Sequence, residues 1–65
     1  MDFRQMSCTK VRIFLDEHKA KWMIDNLEAR DVTLLYDRVR KCDPASASKI
    51  YKVMIFIKEA INGRR

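Results

Sequence analysis

The segment from Asp43 to Gly63 constrains the fold most, because it carries the signals for the start, the body and the end of one helix. Asp43 is a favourable N-cap, and Pro44 at the first helical position loses no hydrogen bond. Apolar residues then recur on one face at steps of three and four: Ile50, Val53, Met54, Ile57, Ala60 and Ile61. Gly63 is expected to end the helix in the left-handed conformation. The last third of the chain is therefore predicted to be one helix.

This helix is apolar on more than one side. Tyr51, Ile55 and Phe56 lie off its main apolar stripe, and few charged residues separate them. A helix of this kind is either central in its own domain or buried against a partner. Leu34, which we expect to point outward from the preceding helix, adds to the same apolar excess. Because a short chain has few elements left to cover these residues, we expect them to contact a partner.

Three shorter helices are predicted upstream. Ser7 or Thr9 can cap the first, whose apolar face is Val11, Phe14, Leu15, His18 and Trp22. A break near residues 19–21 is expected to separate it from a second helix over residues 22–29. Asp31 is then expected to cap a third helix. The apolar face of this third helix is Val32, Leu35, Tyr36, Val39 and Cys42.

The predicted fold class is all-α, a compact bundle of three to four short helices in a single domain over residues 1–65. Residues 1–8 form a lead-in that is expected either to dock on the core or to fray. A single glycine and a single proline argue against an all-β fold, which needs many turns. A chain of 65 residues can bury only a thin core, so we expect the bundle to self-associate.

The sequence offers little for catalysis or for binding a cofactor. Cys8 and Cys42 stand alone, without the close spacing of a metal site, and are expected to be reduced thiols, with Cys42 a small core residue. His18 is expected to pack rather than to act as a catalytic base. The only glycine lies near the C-terminus, so no glycine-rich phosphate loop is present. We expect no enzyme, no cofactor, no metal and no small-molecule substrate.

Location and charge give two further expectations. No stretch approaches the roughly 18 apolar residues of a membrane span, and no apolar signal segment opens the chain, so a cytoplasmic, reducing location without a membrane partner is expected. The net charge is +5, from 14 basic and 9 acidic residues interspersed along the chain. A basic bundle can follow the backbone of duplex RNA without reading bases. The residues for such a nucleic-acid face are Lys19, Lys21, Arg38, Arg40 and Lys41.

The order of these features resembles the N-terminal two-thirds of a caspase recruitment domain, a member of the death-fold family. The resemblance covers residues 10–61 and rests on hydrophobic patterns in four segments: KVRIFL (10–15), MIDNLEARDV (23–32), DRVRKC (37–42) and KIYKVMIFI (49–57). It implies a non-catalytic module that joins like modules through opposed charged patches. The positions that match the basic patch are Arg12, Lys49 and Lys52, and those that match the acidic patch are Asp25, Glu28 and Asp31.

The sequence therefore predicts a protein–protein interaction module that assembles with itself or with another helical-bundle protein, or that inhibits such assembly. The alternative hypothesis is a small basic helical dimer that binds the backbone of RNA or DNA. A third reading is an accessory subunit of a larger complex, because such a subunit also carries excess apolar surface. The apolar residues Leu34, Tyr51, Ile55 and Phe56 join the charged patches as the predicted partner contacts.

Overall fold

The protein is represented by a computed structural model that describes residues 3–64. A 3₁₀ turn over Phe3–Gln5 precedes four helices: α1 (Cys8–Glu17), α2 (Ala20–Asn26), α3 (Ala29–Cys42) and α4 (Pro44–Arg64). Residues 3–64 contain no strand. The predicted all-α fold class is therefore confirmed.

The break between α1 and α2 falls at His18 and Lys19, slightly before the predicted position. Ser7 caps α1, since its side chain accepts a hydrogen bond from the Lys10 amide at 3.2 Å. His18 is already extended, although its amide still donates to the Phe14 carbonyl at 2.9 Å. Consequently α2 begins at Ala20 and ends at Asn26, not over residues 22–29 as the apolar spacing suggested.

The start of α3 corrects the prediction that Asp31 is its N-cap. Glu28 occupies that position, and Asp31 lies three residues later in a reciprocal capping box. The Asp31 carboxylate accepts from the Glu28 amide at 3.0 Å, while the Glu28 side chain accepts from the Asp31 amide. The carboxylate thus reaches back from inside the helix, and α3 begins two residues before Asp31, at Ala29.

Both predicted signals at the start of α4 are confirmed. The Asp43 carboxylate accepts from the Ser46 amide at 3.3 Å and from the Ser46 hydroxyl at 2.6 Å. Pro44 is the first helical residue. The predicted stop at Gly63 is wrong, because no glycine between residues 3 and 64 has a positive φ and α4 continues to Arg64.

A contact between helices explains the extra residue at the end of α4. The Arg64 guanidinium donates to the Ile24 carbonyl at 2.6 Å and to the Leu27 carbonyl at 3.4 Å. These carbonyls lie at the C-terminal end of α2, where backbone acceptors lack helical partners. The last turn of α4 is therefore held against the end of α2.

The core receives side chains from every element. α4 packs against α3 and α2, while α1 and the 3₁₀ turn pack on α3. The buried residues are Phe3, Val11, Phe14, Met23, Leu27, Val32, Leu35, Val39, Ala47, Met54, Ile57 and Ile61. Phe3 is fully buried, and the Arg38 guanidinium donates to the Met6 carbonyl at 2.8 and 3.1 Å. The lead-in from residue 3 onward is therefore docked; Met1 and Asp2 lie outside the described residues.

Two details of the predicted apolar faces need correction. Val53 was assigned to the buried stripe of α4 but is 48% exposed, and Ala47 is buried instead. Leu34 was expected to point outward, but it is half-buried and packs against the core. None of the helices within residues 3–64 is both long enough and apolar enough to span a membrane.

Candidate interaction surface

The side of α4 that faces away from the core carries two large apolar residues. Ile55 is 37% exposed and Phe56 is 60% exposed. Exposed residues continue this line in both directions at steps of three or four, which places them on one face of a helix. We call this set the α4 outer face: Ser48, Lys52, Ile55, Phe56, Glu59 and Gly63. It is an apolar centre bounded by two charges and ended by two small residues.

Further apolar side chains flank the α4 outer face. Tyr51 is 50% exposed and Val53 is 48% exposed, on opposite sides of the helix. The Tyr51 ring lies 5.6 Å from that of Tyr36 on α3, centroid to centroid. Tyr51 therefore continues the surface toward α3. Four of the five large hydrophobic residues that are exposed within residues 3–64 belong to α4; the fifth is Ile13 on α1.

The two charges of the α4 outer face have opposite signs and lie on the same line of the helix. Lys52 and Glu59 are seven residues apart, close to two helical turns. Both are exposed, and neither forms an ion pair with another residue between positions 3 and 64. Ile55 and Phe56 lie midway between them. The charges are thus available to groups outside this part of the chain.

The residues of the predicted charged patches have mixed surroundings. Arg12 lies near the start of α4, where its charge helps Ser46 to hold the pKa of Asp43 below the usual range, the Ser46 hydrogen bonds being the larger cause. Lys49 is exposed on α4, and Asp25 is exposed on α2. The structure brings Glu28 and Asp31 together, but in the capping box of α3.

The predicted nucleic-acid residues are divided between two helices. Lys19 and Lys21 lie at the start of α2, and Arg40 and Lys41 lie in the last turn of α3, all of them exposed. Arg38 is half-buried, and its guanidinium bonds the Met6 carbonyl, so it holds the lead-in against α3. Arg38 therefore has a structural partner that the sequence pattern did not reveal.

The expectation of reduced cysteines is wrong, because Cys8 and Cys42 form a disulfide. Cys8 is the first residue of α1 and Cys42 is the last of α3, and the packing of these helices brings their Cα atoms to 5.5 Å. That separation lies in the usual range for a disulfide. The pairing joins residues 34 positions apart, so no local spacing could have indicated it.

A cleft of about 540 Å³ lies beside the disulfide, between α1 and the start of α4. Its lining is mixed, with apolar Val11, Leu15, Val39 and Ile50 next to Arg12, Asp16, Asp43 and Ser46. Within it the Asp43 carboxylate is already bonded to Ser46 and lies near Arg12. Its polar groups are thus partly engaged with one another.

His18 lies in an aromatic cluster, which agrees with its predicted packing role. Its ring stacks on Trp22 with centroids 3.9 Å apart and lies 4.6 Å from the Phe14 ring. Phe14 in turn meets Phe3 edge to face at 5.3 Å. Neither cysteine is a free thiol, so His18 has no cysteine nucleophile within residues 3–64. No group of three or more histidine, cysteine, aspartate or glutamate residues in this range could hold a metal ion.

Comparison with known proteins identifies no relative. No protein-family model, curated protein sequence or solved structure matches the chain. The sequence predicted Tyr51, Lys52, Ile55 and Phe56 as contacts, and all four are exposed on α4. Four further exposed residues of the same helix were not among the predicted contacts: Ser48, Val53, Glu59 and Gly63. The seven-residue spacing of Lys52 and Glu59 about two apolar residues was the signal available for the outer face.

Proposed function

We propose that this protein is a non-catalytic interaction module that assembles with like modules through the α4 outer face. The observation that carries the proposal is the exposure of Ile55 and Phe56 on a helix whose opposite side already supplies the core. A helix that needed only to complete its own bundle would place polar residues at these positions. Contiguous exposed apolar surface of this kind marks interaction sites in soluble proteins.

The distribution of exposed apolar residues supports the same choice of surface. Tyr51 and Val53 widen the apolar area on either side of Ile55 and Phe56. On α1, by contrast, Ile13 is the only large hydrophobic residue with comparable exposure, which is normal for a soluble protein. The apolar excess is therefore concentrated on one helix, as expected of a surface that has a partner.

The test is the molar mass of purified Phe56→Ser protein across a concentration series, measured by light scattering. The parent chain should form dimers or larger species, and Phe56→Ser should remain monomeric over the same range. Ile13→Ser is the matched control, because it removes a hydrophobic residue of similar exposure from a different helix, and it should associate like the parent. A parent that stays monomeric at every concentration would overturn the proposal.

A salt series separates this surface from the charged patches that the death-fold resemblance implies. Assembly through exposed ion pairs of Arg12, Lys49 and Lys52 with Asp25, Glu28 and Asp31 should weaken strongly with added salt, because screening reduces attraction between exposed charges. Assembly through Ile55 and Phe56 should persist. The alternative hypothesis, binding to the backbone of duplex RNA, predicts instead that the protein shifts the gel mobility of the RNA and that added salt abolishes this shift.

The cytoplasmic location expected from the sequence stays a prediction, and the disulfide works against its premise. Disulfides persist mainly in oxidising compartments, whereas cytosolic thiols are kept reduced. We propose that the functional form is the oxidised one. Thiol alkylation during lysis, followed by mass measurement, should find Cys8 and Cys42 unlabelled; labelling of both would support the reducing location instead.

A further inference from the structure

We propose that the partner of the α4 outer face is a second copy of this chain, packed antiparallel about a twofold axis with Ile55 against Phe56 of the second copy. This inference rests on the proposed function, because it names the partner of the same surface. It goes further by fixing the orientation and the register of the contact. A symmetric pair of this kind uses the same patch on both copies.

The order of residues along the α4 outer face carries the argument. In an antiparallel pair centred between residues 55 and 56, Lys52 lies opposite Glu59 of the second copy, and Glu59 opposite its Lys52. Both charges are exposed and lack an ion-pair partner among residues 3–64. Each charge therefore faces a charge of opposite sign, and one dimer contains two such pairs. These pairs fix the orientation of the helices and the choice of partner.

The small residues at the two ends fit the same register. Ser48 lies opposite Gly63 of the second copy, so the helices meet small side chains at both ends and the bulky Ile55 and Phe56 in the middle. The distance between packed helices depends on the side chains at the contact, and small ones permit close approach. A Cβ atom at Gly63 would have no atom of another helix within 4 Å among residues 3–64, so this end of the face is open.

The same residues disfavour the parallel arrangement. A parallel pair in register would place Lys52 against Lys52 and Glu59 against Glu59, and like charges across an interface disfavour that orientation. Glu59 is the only acidic residue on α4, so of the two symmetric arrangements only the antiparallel one puts it against a lysine of this face. The contact has two helices and one apolar centre, so we expect a reversible dimer.

Cross-linking tests the orientation directly. Ser48→Cys and Gly63→Cys chains, one carrying a mass tag, are mixed with the native disulfide intact and oxidised mildly, and the products are resolved by mass. The antiparallel register predicts disulfides between one Ser48→Cys chain and one Gly63→Cys chain. Two copies of position 48 would lie about 22 Å apart, since 15 residues separate the ends of the face, and cannot join.

Charge exchange tests the register independently. Lys52→Glu should weaken dimerisation about tenfold, because it replaces two attractive pairs with two repulsive ones. The double variant Lys52→Glu with Glu59→Lys should restore parent affinity, because the pairs re-form with their signs exchanged. Lys49→Glu, the same change elsewhere on α4, is the control and should weaken dimerisation less than threefold, in keeping with the small effect of a charge outside the paired line.

The outcomes distinguish this inference from the proposed function. Cross-links between two Ser48→Cys chains, or a double variant as weak as Lys52→Glu, would overturn the antiparallel register while assembly through α4 stands. A parent chain that remains monomeric would overturn both. If the Phe56→Ser protein self-associates as strongly as the parent chain, the contact lies on another surface.

Discussion

Helices α3 and α4 pack against each other, yet their sequences meet different demands. α3 buries one stripe of Val32, Leu35 and Val39 and presents polar residues on the opposite side, such as Thr33 and Asp37. α4 also buries one stripe, but its opposite side carries Ile55 and Phe56. The fold of the single chain uses all the large apolar residues of α3 and leaves several of those of α4 in solvent.

This difference separates the residues that stabilise the monomer from the exposed apolar residues that are available to bind a partner. An amphipathic helix such as α3 is fully accounted for by its own domain. A helix that carries large apolar residues on its outer side as well has more hydrophobic surface than one small bundle can cover. If α3 serves stability and the outer side of α4 serves association, substitutions on the two helices should change different properties.

The largest effect is expected from Leu35→Ala. The Leu35 side chain is fully buried between α3 and its neighbours, so its truncation should lower the free energy of unfolding by about 2–5 kcal/mol. A chain of this size has a stability of only about 3–5 kcal/mol without a staple. Urea titration followed by circular dichroism should show a large loss, whereas Thr33→Ala on the exposed side of α3 should change the free energy by about 0.5 kcal/mol or less. A loss below about 1 kcal/mol for Leu35→Ala would contradict the role given to α3.

The disulfide at the end of α3 is expected to contribute almost as much. Cys8→Ser with Cys42→Ser removes a link across 34 positions, for which the loop-closure estimate is about 4 kcal/mol. A reductant should therefore lower the urea midpoint of the parent and leave the double variant unchanged. If the double variant matched the oxidised parent in stability, packing on α3 alone would suffice to hold α1.

Much of α4 could be predicted from sequence because its signals are local. The N-cap Asp43, Pro44 and the stripe through Met54, Ile57 and Ile61 depend only on neighbours within a few positions. The end of the helix could not be predicted, because Arg64 bonds carbonyls of α2 some 40 positions earlier. Tertiary contacts of this kind override the local preference of glycine for a helix end.

The candidate surface was predictable in part for the same reason. Helical spacing places Ile55 and Phe56 off the buried stripe, whatever the other helices do. It does not say which flank a neighbouring helix will cover, so Val53 was assigned to the core although it is exposed. The Cys8–Cys42 pairing was likewise out of reach, because it depends on how α1 and α3 pack.

A smaller effect is expected at the junction between the two helices, where Asp43 caps α4. The Ser46 hydroxyl and amide lower the pKa of Asp43 from its ordinary value of 3.8. Because the folded state holds the carboxylate ionised, its contribution to stability is present above the unfolded pKa and is lost as pH falls through the folded value. Asp43→Asn can still cap the helix but has no carboxylate to protonate. Its urea midpoint should therefore fall less than that of the parent as the pH is lowered.

Ser46→Ala sharpens this test, because it removes the strongest hydrogen bond to the carboxylate and keeps the charge. As the pH is lowered, the urea midpoint of Ser46→Ala should fall less than that of the parent and more than that of Asp43→Asn. If both variants lose stability in acid as the parent does, Ser46 does not stabilise the ionised Asp43 at the start of α4.

The smallest effect on the monomer is expected from Phe56→Ser, and it decides the comparison. Phe56 is 60% exposed, so at concentrations low enough to keep the chain monomeric its loss should change the free energy of unfolding by about 0.5 kcal/mol or less. At high concentration the parent should gain stability from dimerisation, because a partner that binds only the folded state shifts the folding equilibrium. Phe56→Ser should lack that gain. A urea midpoint that rises with concentration in the parent but not in the variant would assign the exposed side of α4 to association; a large loss in the dilute monomer would assign Phe56 to the core instead.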